Sequence, residues 1–216
     1  MKGIGGSTIK KELDAIEPIA HLIKPIKKEE FQKRIDKACG LMKEQNASAM
    51  YLHAGTNLYY FTGMRWSASE RMVGAVLFSN GRLVYIAPKF EKGTILDFML
   101  IHGDVECWEE HESPFSLLGS ILGVNNNNEI DVYIDEITPF FISDGIIKAN
   151  SNLNLKNATS IIASCRMIKS LKEISIMQYA MNITLEVQKA VARIMRVGIS
   201  AAEVVDFINE AHKRYG

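Results

Sequence analysis

Apolar and polar positions follow one another along this chain with two different periods, which predicts both helices and strands. Between residues 29 and 46 the apolar positions recur every three or four residues, as on one face of an α-helix: Phe31, Ile35, Ala38 and Met42. Polar and charged residues fill the positions between them. This segment is therefore predicted to be an amphipathic helix that packs on a sheet.

Short apolar runs that are typical of strands follow this helix. The run at 48–55 predicts one strand, and the run at 72–88 predicts two strands joined at Ser79-Asn80-Gly81-Arg82. Asn-Gly between two apolar runs favours a tight hairpin turn. Helix-like and strand-like segments then alternate; the helix-like ones are 89–101, 113–122 and 138–149, and the strand-like ones are 104–109 and 129–135. Such alternation predicts the α/β class.

The last fifty residues predict two helices with clear amino-terminal signals. Ser170 with Glu173, and Ser200 with Glu203, have the spacing of a capping box, in which each side chain bonds the other residue's backbone N–H. Polar residues of the first helix fall on one stripe, so this helix is predicted to be largely buried and roughly 40 Å long at 1.5 Å per residue. Because one small domain does not need so long a helix, this helix is expected to pack on a larger partner surface. The apolar face that would be uncovered without that partner is represented by Ile176, Ile183, Val187 and Ile194.

Composition narrows the classes of protein that this chain can represent. With 216 residues, 47% of them apolar, the chain can bury a sizeable core. Its 25 basic and 25 acidic residues cancel, so neither nucleic acid nor an anionic membrane is an expected partner. The three cysteines lack a Cys-x-x-Cys pair, which favours a reducing, cytoplasmic location. No stretch approaches the roughly 20 apolar residues of a membrane span.

Two long segments resemble one enzyme family. Residues 165–204, "CRMIKSLKEISIMQYAMNITLEVQKAVARIMRVGISAAEV", resemble the first two helices of the pita-bread catalytic domain shared by prolidases, Xaa-Pro aminopeptidases and creatinases. Residues 56–91, "TNLYYFTGMRWSASERMVGAVLFSNGRLVYIAPKFE", resemble the N-terminal domain of the same family. The resemblance implies a mixed β-sheet flanked by helices, in a ribonuclease H-like arrangement, and a homodimer.

The resemblance also predicts the domain boundaries. Residues 1–28 are expected to form an N-terminal arm, in which Pro18 and Pro25 limit a short helix. Residues 29–163 are expected to be the creatinase/prolidase-like N-terminal domain. Residues 164–216 are expected to be the start of an incomplete pita-bread catalytic domain.

The metal site of the family is expected to lie outside this chain. Relatives hold two divalent metals through two aspartates, a histidine and two glutamates on strands that follow these two helices, which here would lie beyond Gly216. The possible remnant is Asp206, Glu210 and His212. Asp206 and Glu210 share a helix face, but His212 points elsewhere, so a solvated surface is predicted instead.

The resemblance therefore implies a longer, metal-dependent parent protein, an Xaa-Pro dipeptidase or aminopeptidase. That parent would use two divalent ions, manganese, cobalt or zinc, and would act on short proline-containing peptides. The present chain would dimerise and cap the active site, and would be inactive alone. Two alternatives stay open: a non-catalytic peptide-binding or chaperone module of the same fold, and part of a creatinase-type amidinohydrolase.

One loop carries candidate substrate-binding residues. They lie between an aromatic turn at 59–63 and an apolar strand, and they are Arg65, Trp66, Glu70 and Arg71. An arginine fork matches a substrate carboxylate, and in relatives the matching loop reaches toward the partner subunit's active site. The alternative is that the aromatic residues only pack and that Arg71 and Glu70 form a surface pair of little energetic consequence.

Overall fold

The computed structural model of this chain describes residues 2–124 and 129–216. The asparagine run at 125–128, which the sequence predicts as a loop, lies outside the described residues. The chain divides into two compact units, one formed by residues up to 26 together with 169–216, and the other by 27–168. Each unit has its own layers and is described separately below.

Helices and strands alternate through the larger unit, as predicted. The strands are β1 (Ala49–His53), β2 (Gly74–Phe78), β3 (Leu83–Pro88), β4 (Asp104–Trp108), β5 (Ile130–Ile134) and β6 (Leu153–Asn157). The helices of the whole chain, in order, are α1 (Ile9–Asp14), α2 (Lys28–Glu44), α3 (Thr56–Thr62), α4 (Lys92–Phe98), α5 (Pro114–Leu122), α6 (Phe140–Ala149), α7 (Thr159–Arg166), α8 (Leu171–Ile194) and α9 (Ala201–Tyr215). Short 3₁₀ turns occur at Ala20–Leu22 and Lys89–Glu91.

The strands form one mixed sheet in the order β4-β3-β2-β1-β5-β6. β2 pairs antiparallel with β1 and β3, whereas the other neighbours pair in parallel. All strands except β2 therefore point the same way, and their carboxyl ends lie along one edge of the sheet. The predicted mixed β-sheet flanked by helices is confirmed.

The β2–β3 hairpin is built on the predicted Asn-Gly turn. Gly81 has a φ of 91°, a left-handed conformation that favours glycine. The Asn80 side-chain oxygen accepts the N–H of Arg82 at 2.9 Å, and the Phe78 N–H donates to the Arg82 carbonyl at 2.9 Å. The hairpin prediction is confirmed.

Helices cover both faces of the sheet. On one face, residues of α5 and α6 pack with strand residues in a buried cluster that includes Tyr51, Val76, Leu118 and Ile142. Among the remaining helices of this unit, α2 packs against both α3 and α7, with Ile35 1% exposed and Phe31, Ala38 and Met42 also buried. The apolar face predicted for 29–46 is therefore the buried face of α2.

The smaller unit contains α1, α8 and α9. Both predicted capping boxes are present, because Ser170 and Ser200 each accept a backbone N–H and Glu173 and Glu203 each reach back. Side chains of all three helices meet in an apolar cluster centred on Val187, Ala190, Ile194, Phe207 and Ala211.

The long helix α8 is not buried in the way that its sequence suggests. Val187 and Ile194, predicted to be uncovered, are each 1% exposed because α1 and α9 pack on them. The apolar stripe that does face solvent is a different one, formed by Ile174, Met177, Met181 and Leu185. The prediction that Val187 and Ile194 are uncovered is wrong, because the sequence does not show which face of α8 is covered by α1 and α9.

Candidate functional site

The predicted substrate loop enters the sheet at the edge where the parallel strands end. Residues 64–71 connect α3 to β2, and β2 begins beside His53, the last residue of β1. The segments after β4 and β5 leave the sheet at this same edge. In open α/β sheets this edge is where ligand sites commonly form.

Both ends of the loop are fixed by buried residues. Met64 and Met72 are 0% and 2% exposed. Before the loop, α3 ends at Gly63, whose φ of 74° is left-handed. After the loop, the Trp108 indole N–H donates to the Met72 carbonyl at 3.3 Å, and the Tyr51 hydroxyl donates to the Val73 carbonyl at 3.2 Å. The scaffold therefore holds the loop while most of its own side chains remain exposed.

A shallow basin lies between the loop and the start of α3. Its volume is about 470 Å³, and its lining residues are Gly55, Thr56, Tyr59, Arg65, Trp66, Ser67 and Ala68. The Arg65 guanidinium lies 5.2 Å from the centre of the Tyr59 ring. The Trp66 ring meets Phe98 edge to face, with ring centres 6.4 Å apart. The basin therefore combines a cation with aromatic surfaces. We call it the Arg65 basin.

The two loop arginines have different surroundings. Arg65 has no acidic partner in the described part of the chain and is exposed. Arg71 instead donates from Nε to Glu110 at 3.0 Å, bonds Glu70, and lies 5.5 Å from the Phe90 ring centre. The hydrogen bond that Arg71 donates to the Glu110 carboxylate raises the pKa of Arg71 above its ordinary value. The charge of Arg71 is thus already matched, whereas that of Arg65 faces solvent.

A buried polar cluster, which the sequence did not reveal, also lies at the start of α3. The Asn57 amide donates to Asp135 Oδ1 at 2.7 Å and to Glu136 Oε1 at 3.2 Å, and its oxygen accepts from Arg166. Asn57 and Asp135 are 0% and 1% exposed. The cluster joins α3, the segment after β5, and α7. We call it the Asn57 junction.

Burial dominates the acid–base chemistry of this junction. Desolvation raises the pKa of Asp135 to about 6, although hydrogen bonds from Asn57 and the Ile137 backbone oppose the shift. One carboxyl oxygen of Asp135 has no hydrogen-bond partner in the described residues. A protonated carboxyl group is therefore favoured here at mildly acidic pH.

His53 lies at the end of β1 and is also buried. Its Nδ1 atom is 3.3 Å from the Tyr51 hydroxyl, whose proton goes to Val73, so Nδ1 acts as the donor. Desolvation lowers the pKa of His53, so the ring is neutral near pH 7. His53 is therefore a neutral core residue that helps to orient the Tyr51 side chain.

The possible metal-site remnant in α9 does not fit a metal site. Glu210 accepts from Arg214 Nε at 2.9 Å, and His212 Nδ1 bonds the Ile208 carbonyl at 2.8 Å within the helix. Across residues 2–124 and 129–216, no group of three or more histidine, cysteine or acidic side chains could hold a metal ion. No helix in those ranges is long and apolar enough to cross a membrane.

Sequence comparison identifies relatives for most of the chain. The family description "Creatinase/Prolidase N-terminal domain" matches residues 34–168. An uncharacterized peptidase of Schizosaccharomyces pombe is 24% identical over 208 residues, covering 90% of this chain and 45% of the relative. An uncharacterized peptidase of Staphylococcus aureus is 26% identical over 183 residues, covering 85% of this chain and 50% of the relative. The chain thus spans about half the length of the curated relatives it matches.

Solved structures share the fold. Dipeptidase PepE from Mycobacterium ulcerans matches with a TM-score of 0.80 and 20% identity, over 89% of this chain and 52% of that one. Recombinant prolidase from Thermococcus sibiricus matches with a TM-score of 0.71 and 23% identity, over 85% and 49%. The N-terminal domain of an Xaa-Pro dipeptidase from Lactobacillus brevis is covered over 98% of its length, with a TM-score of 0.53 and 20% identity.

Proposed function

Because this chain belongs to the creatinase/prolidase N-terminal domain family, we propose that it is the dimerising and active-site-capping part of a metal-dependent Xaa-Pro dipeptidase or aminopeptidase. The extent of the sequence likeness carries this proposal: 85–90% of the chain aligns with peptidases and accounts for about half of each. The hydrolytic metal site would belong to the remaining half.

The metal chemistry is assigned to that other half for a structural reason. Xaa-Pro hydrolysis of this type uses two divalent ions, such as manganese, cobalt or zinc, to supply a hydroxide nucleophile near neutral pH. The only set of candidate donors that this sequence suggested, in α9, is engaged in helix hydrogen bonds and an ion pair. This chain's own contribution is therefore to position substrate and exclude water, not to hold the ions.

We assign the substrate contact to the Arg65 basin. Arg65 would bind the free carboxylate of a short peptide through a bidentate pair, because its guanidinium is exposed and has no acidic partner in the described residues. The aromatic faces of Trp66 and Tyr59 offer apolar surface to an adjacent proline ring. Arg71 and Glu70 would hold the loop through Glu110 instead of binding substrate. The basin would face the active site of a partner subunit.

The first test is the coding sequence. Reading the encoding DNA past codon 216 should show a continuing frame with two aspartates, a histidine and two glutamates as metal ligands. A stop codon at that point, with no separate catalytic chain encoded nearby, would count against the peptidase assignment.

The second test separates the two arginines in a protein that contains both halves. Arg65→Ala should lower kcat/KM for an Xaa-Pro dipeptide by roughly tenfold, about 1.4 kcal/mol, with little change in melting temperature. Arg71→Ala is the matched control and should affect kcat/KM less. A dipeptide with an amidated carboxyl terminus should show no difference between wild type and Arg65→Ala. Equal kcat/KM values for wild type, Arg65→Ala and Arg71→Ala on both substrates would mean that the loop only packs and does not bind substrate.

A further inference from the structure

The N-terminal segment packs against the C-terminal helices. Residues 3–19, called the strap below, include α1, and Ile9, Leu13 and Ile16 pack against the apolar cluster of α8 and α9. At the end of the strap, the Ile19 N–H donates to the Tyr215 carbonyl at 3.0 Å. The strap therefore packs against two helices that lie near the opposite end of the sequence.

The glycines of the strap permit close approach to the carboxyl end of α8. The last carbonyl groups of a helix lack partners within the helix. Here the Ile4 N–H donates to the Met195 carbonyl, and the Ser7 N–H donates to the Arg193 carbonyl at 3.3 Å. A Cβ atom on Gly3 would lie 2.3 Å from the Arg193 oxygen, and one on Gly5 would lie 2.5 Å from the Arg193 Cα. Only glycine fits these two positions without displacing the backbone.

An ion pair secures the middle of the strap. Glu12 Oε2 accepts from Arg193 Nε at 3.0 Å and from Nη2 at 2.7 Å. The hydrogen bond from Arg193 lowers the pKa of Glu12. On α9, Arg214 Nη1 donates to the Leu13 carbonyl at 2.8 Å. The strap is thus held by a few identifiable contacts at its start, middle and end.

The strap has little stability of its own. Its helix α1 has six residues and no fully buried side chain. Isolated helices shorter than about 12 residues are marginal in water. Segments with few buried apolar contacts open with the smallest free energies in a protein. The strap should therefore open more easily than the sheet of the 27–168 unit.

We propose that residues 3–19 act as a detachable clamp on α8 and α9. When the clamp opens, the 27–168 sheet stays folded, and the apolar face that includes Val187, Ile194 and Phe207 becomes accessible. The groove that opens is specific for the strap itself, because it requires glycine at the close approach and a carboxylate opposite Arg193. This proposal does not depend on the proposed peptidase role.

Hydrogen exchange of the full chain, followed by mass spectrometry, tests the clamp. In Gly5→Ala, amides in residues 187–195 and in α9 should exchange at least about tenfold faster than in wild type. In Glu12→Gln, they should exchange about threefold faster, since partly exposed ion pairs are weak. Amides of β1, β2 and β3 should be unchanged in both variants. Lys10→Ala, an exposed change in α1, is the matched control and should exchange like wild type.

A peptide of residues 2–26, added in excess to Gly5→Ala, should restore slow exchange in α8 and α9. The same peptide carrying alanine at position 5 should not. Unchanged exchange in both Gly5→Ala and Glu12→Gln would overturn the clamp, as would faster exchange that extends equally into the sheet. Failure of the unmodified peptide to restore protection would show that the strap is not a detachable ligand of this groove. If Gly5→Ala does not fold, Glu12→Gln with the same peptides decides between these outcomes.

Discussion

Replacing Asp135 by asparagine should make the chain more stable at neutral pH. The carboxyl group of Asp135 is 1% exposed, and burial raises its pKa from 3.8 to about 6. A raised pKa means that the folded state binds this proton more tightly than the unfolded state does. The stabilisation linked to Asp135 is therefore complete below about pH 4 and is lost as the pH rises toward 6.

The size of the effect follows from the pKa difference. The difference between a pKa of 3.8 and one of about 6 corresponds to about 3 kcal/mol, since each pKa unit is worth 1.36 kcal/mol. Asparagine keeps the oxygen that Asn57 and the Ile137 N–H contact. It also carries a neutral NH₂ group where the protonated acid would carry O–H. Asp135→Asn should thus match wild type near pH 4 and exceed it by up to about 3 kcal/mol near pH 7.

Urea unfolding monitored by tryptophan fluorescence between pH 4 and pH 8 measures this difference. The matched control is Asp131→Asn on β5, the strand that ends just before Asp135, because Asp131 is partly exposed and lies 3.9 Å from Lys156 Nζ. The difference in free energy of unfolding between Asp131→Asn and wild type should vary little between pH 4 and pH 8. A constant difference between Asp135→Asn and wild type across the range would refute the reasoning. So would a loss of stability at pH 7, since it would mean that the junction stabilises the ionised carboxylate.

Three further outcomes are expected. Gly74→Ala should lower the free energy of unfolding by about 2–3 kcal/mol, because its Cβ would lie 2.3 Å from the Leu52 carbonyl oxygen, whereas Gly40→Ala, with open space around it, should be neutral or stabilising in the same urea assay. Ser200→Ala should cost about 1 kcal/mol through loss of the α9 capping box, and circular dichroism during thermal unfolding should show no such loss for exposed Ser175→Ala. Calorimetric titration with Mn²⁺, Co²⁺ or Zn²⁺ should show no tight stoichiometric site on this chain, and one or two such sites would contradict the assignment of the metal ligands to another segment.

The sequence located the candidate loop but not the roles within it. The sequence points to Arg65, Trp66, Glu70 and Arg71 because three charges between an aromatic turn and a buried strand are more than a tight hairpin requires. Which arginine has its charge matched depends on Glu110, which lies 39 residues from Arg71 in sequence. The difference in pairing between Arg65 and Arg71 could therefore not be read from local pattern.

Buried polar contacts between distant segments were missed for the same reason. Asn57 meets Asp135 over a sequence separation of 78 residues and Arg166 over 109. No local spacing signals such pairs. The sequence predicts a turn where the short helix α3 lies, because this aromatic run lacks an amphipathic period. It does not predict β6, because the burial of that strand is slight, as expected at the sheet edge.

What the sequence determined by itself was local: the periods of its helices and strands, the Asn-Gly hairpin, and the capping boxes that start α8 and α9. These features depend on backbone conformation and neighbours within a few residues, so they can be read directly. Tertiary structure alone decided which face of α8 is covered, which polar groups are buried together, and why Gly3 and Gly5 must be glycine. Each of those depends on a surface supplied by a remote part of the chain, and the free energy of burial is fixed only when both surfaces are in place.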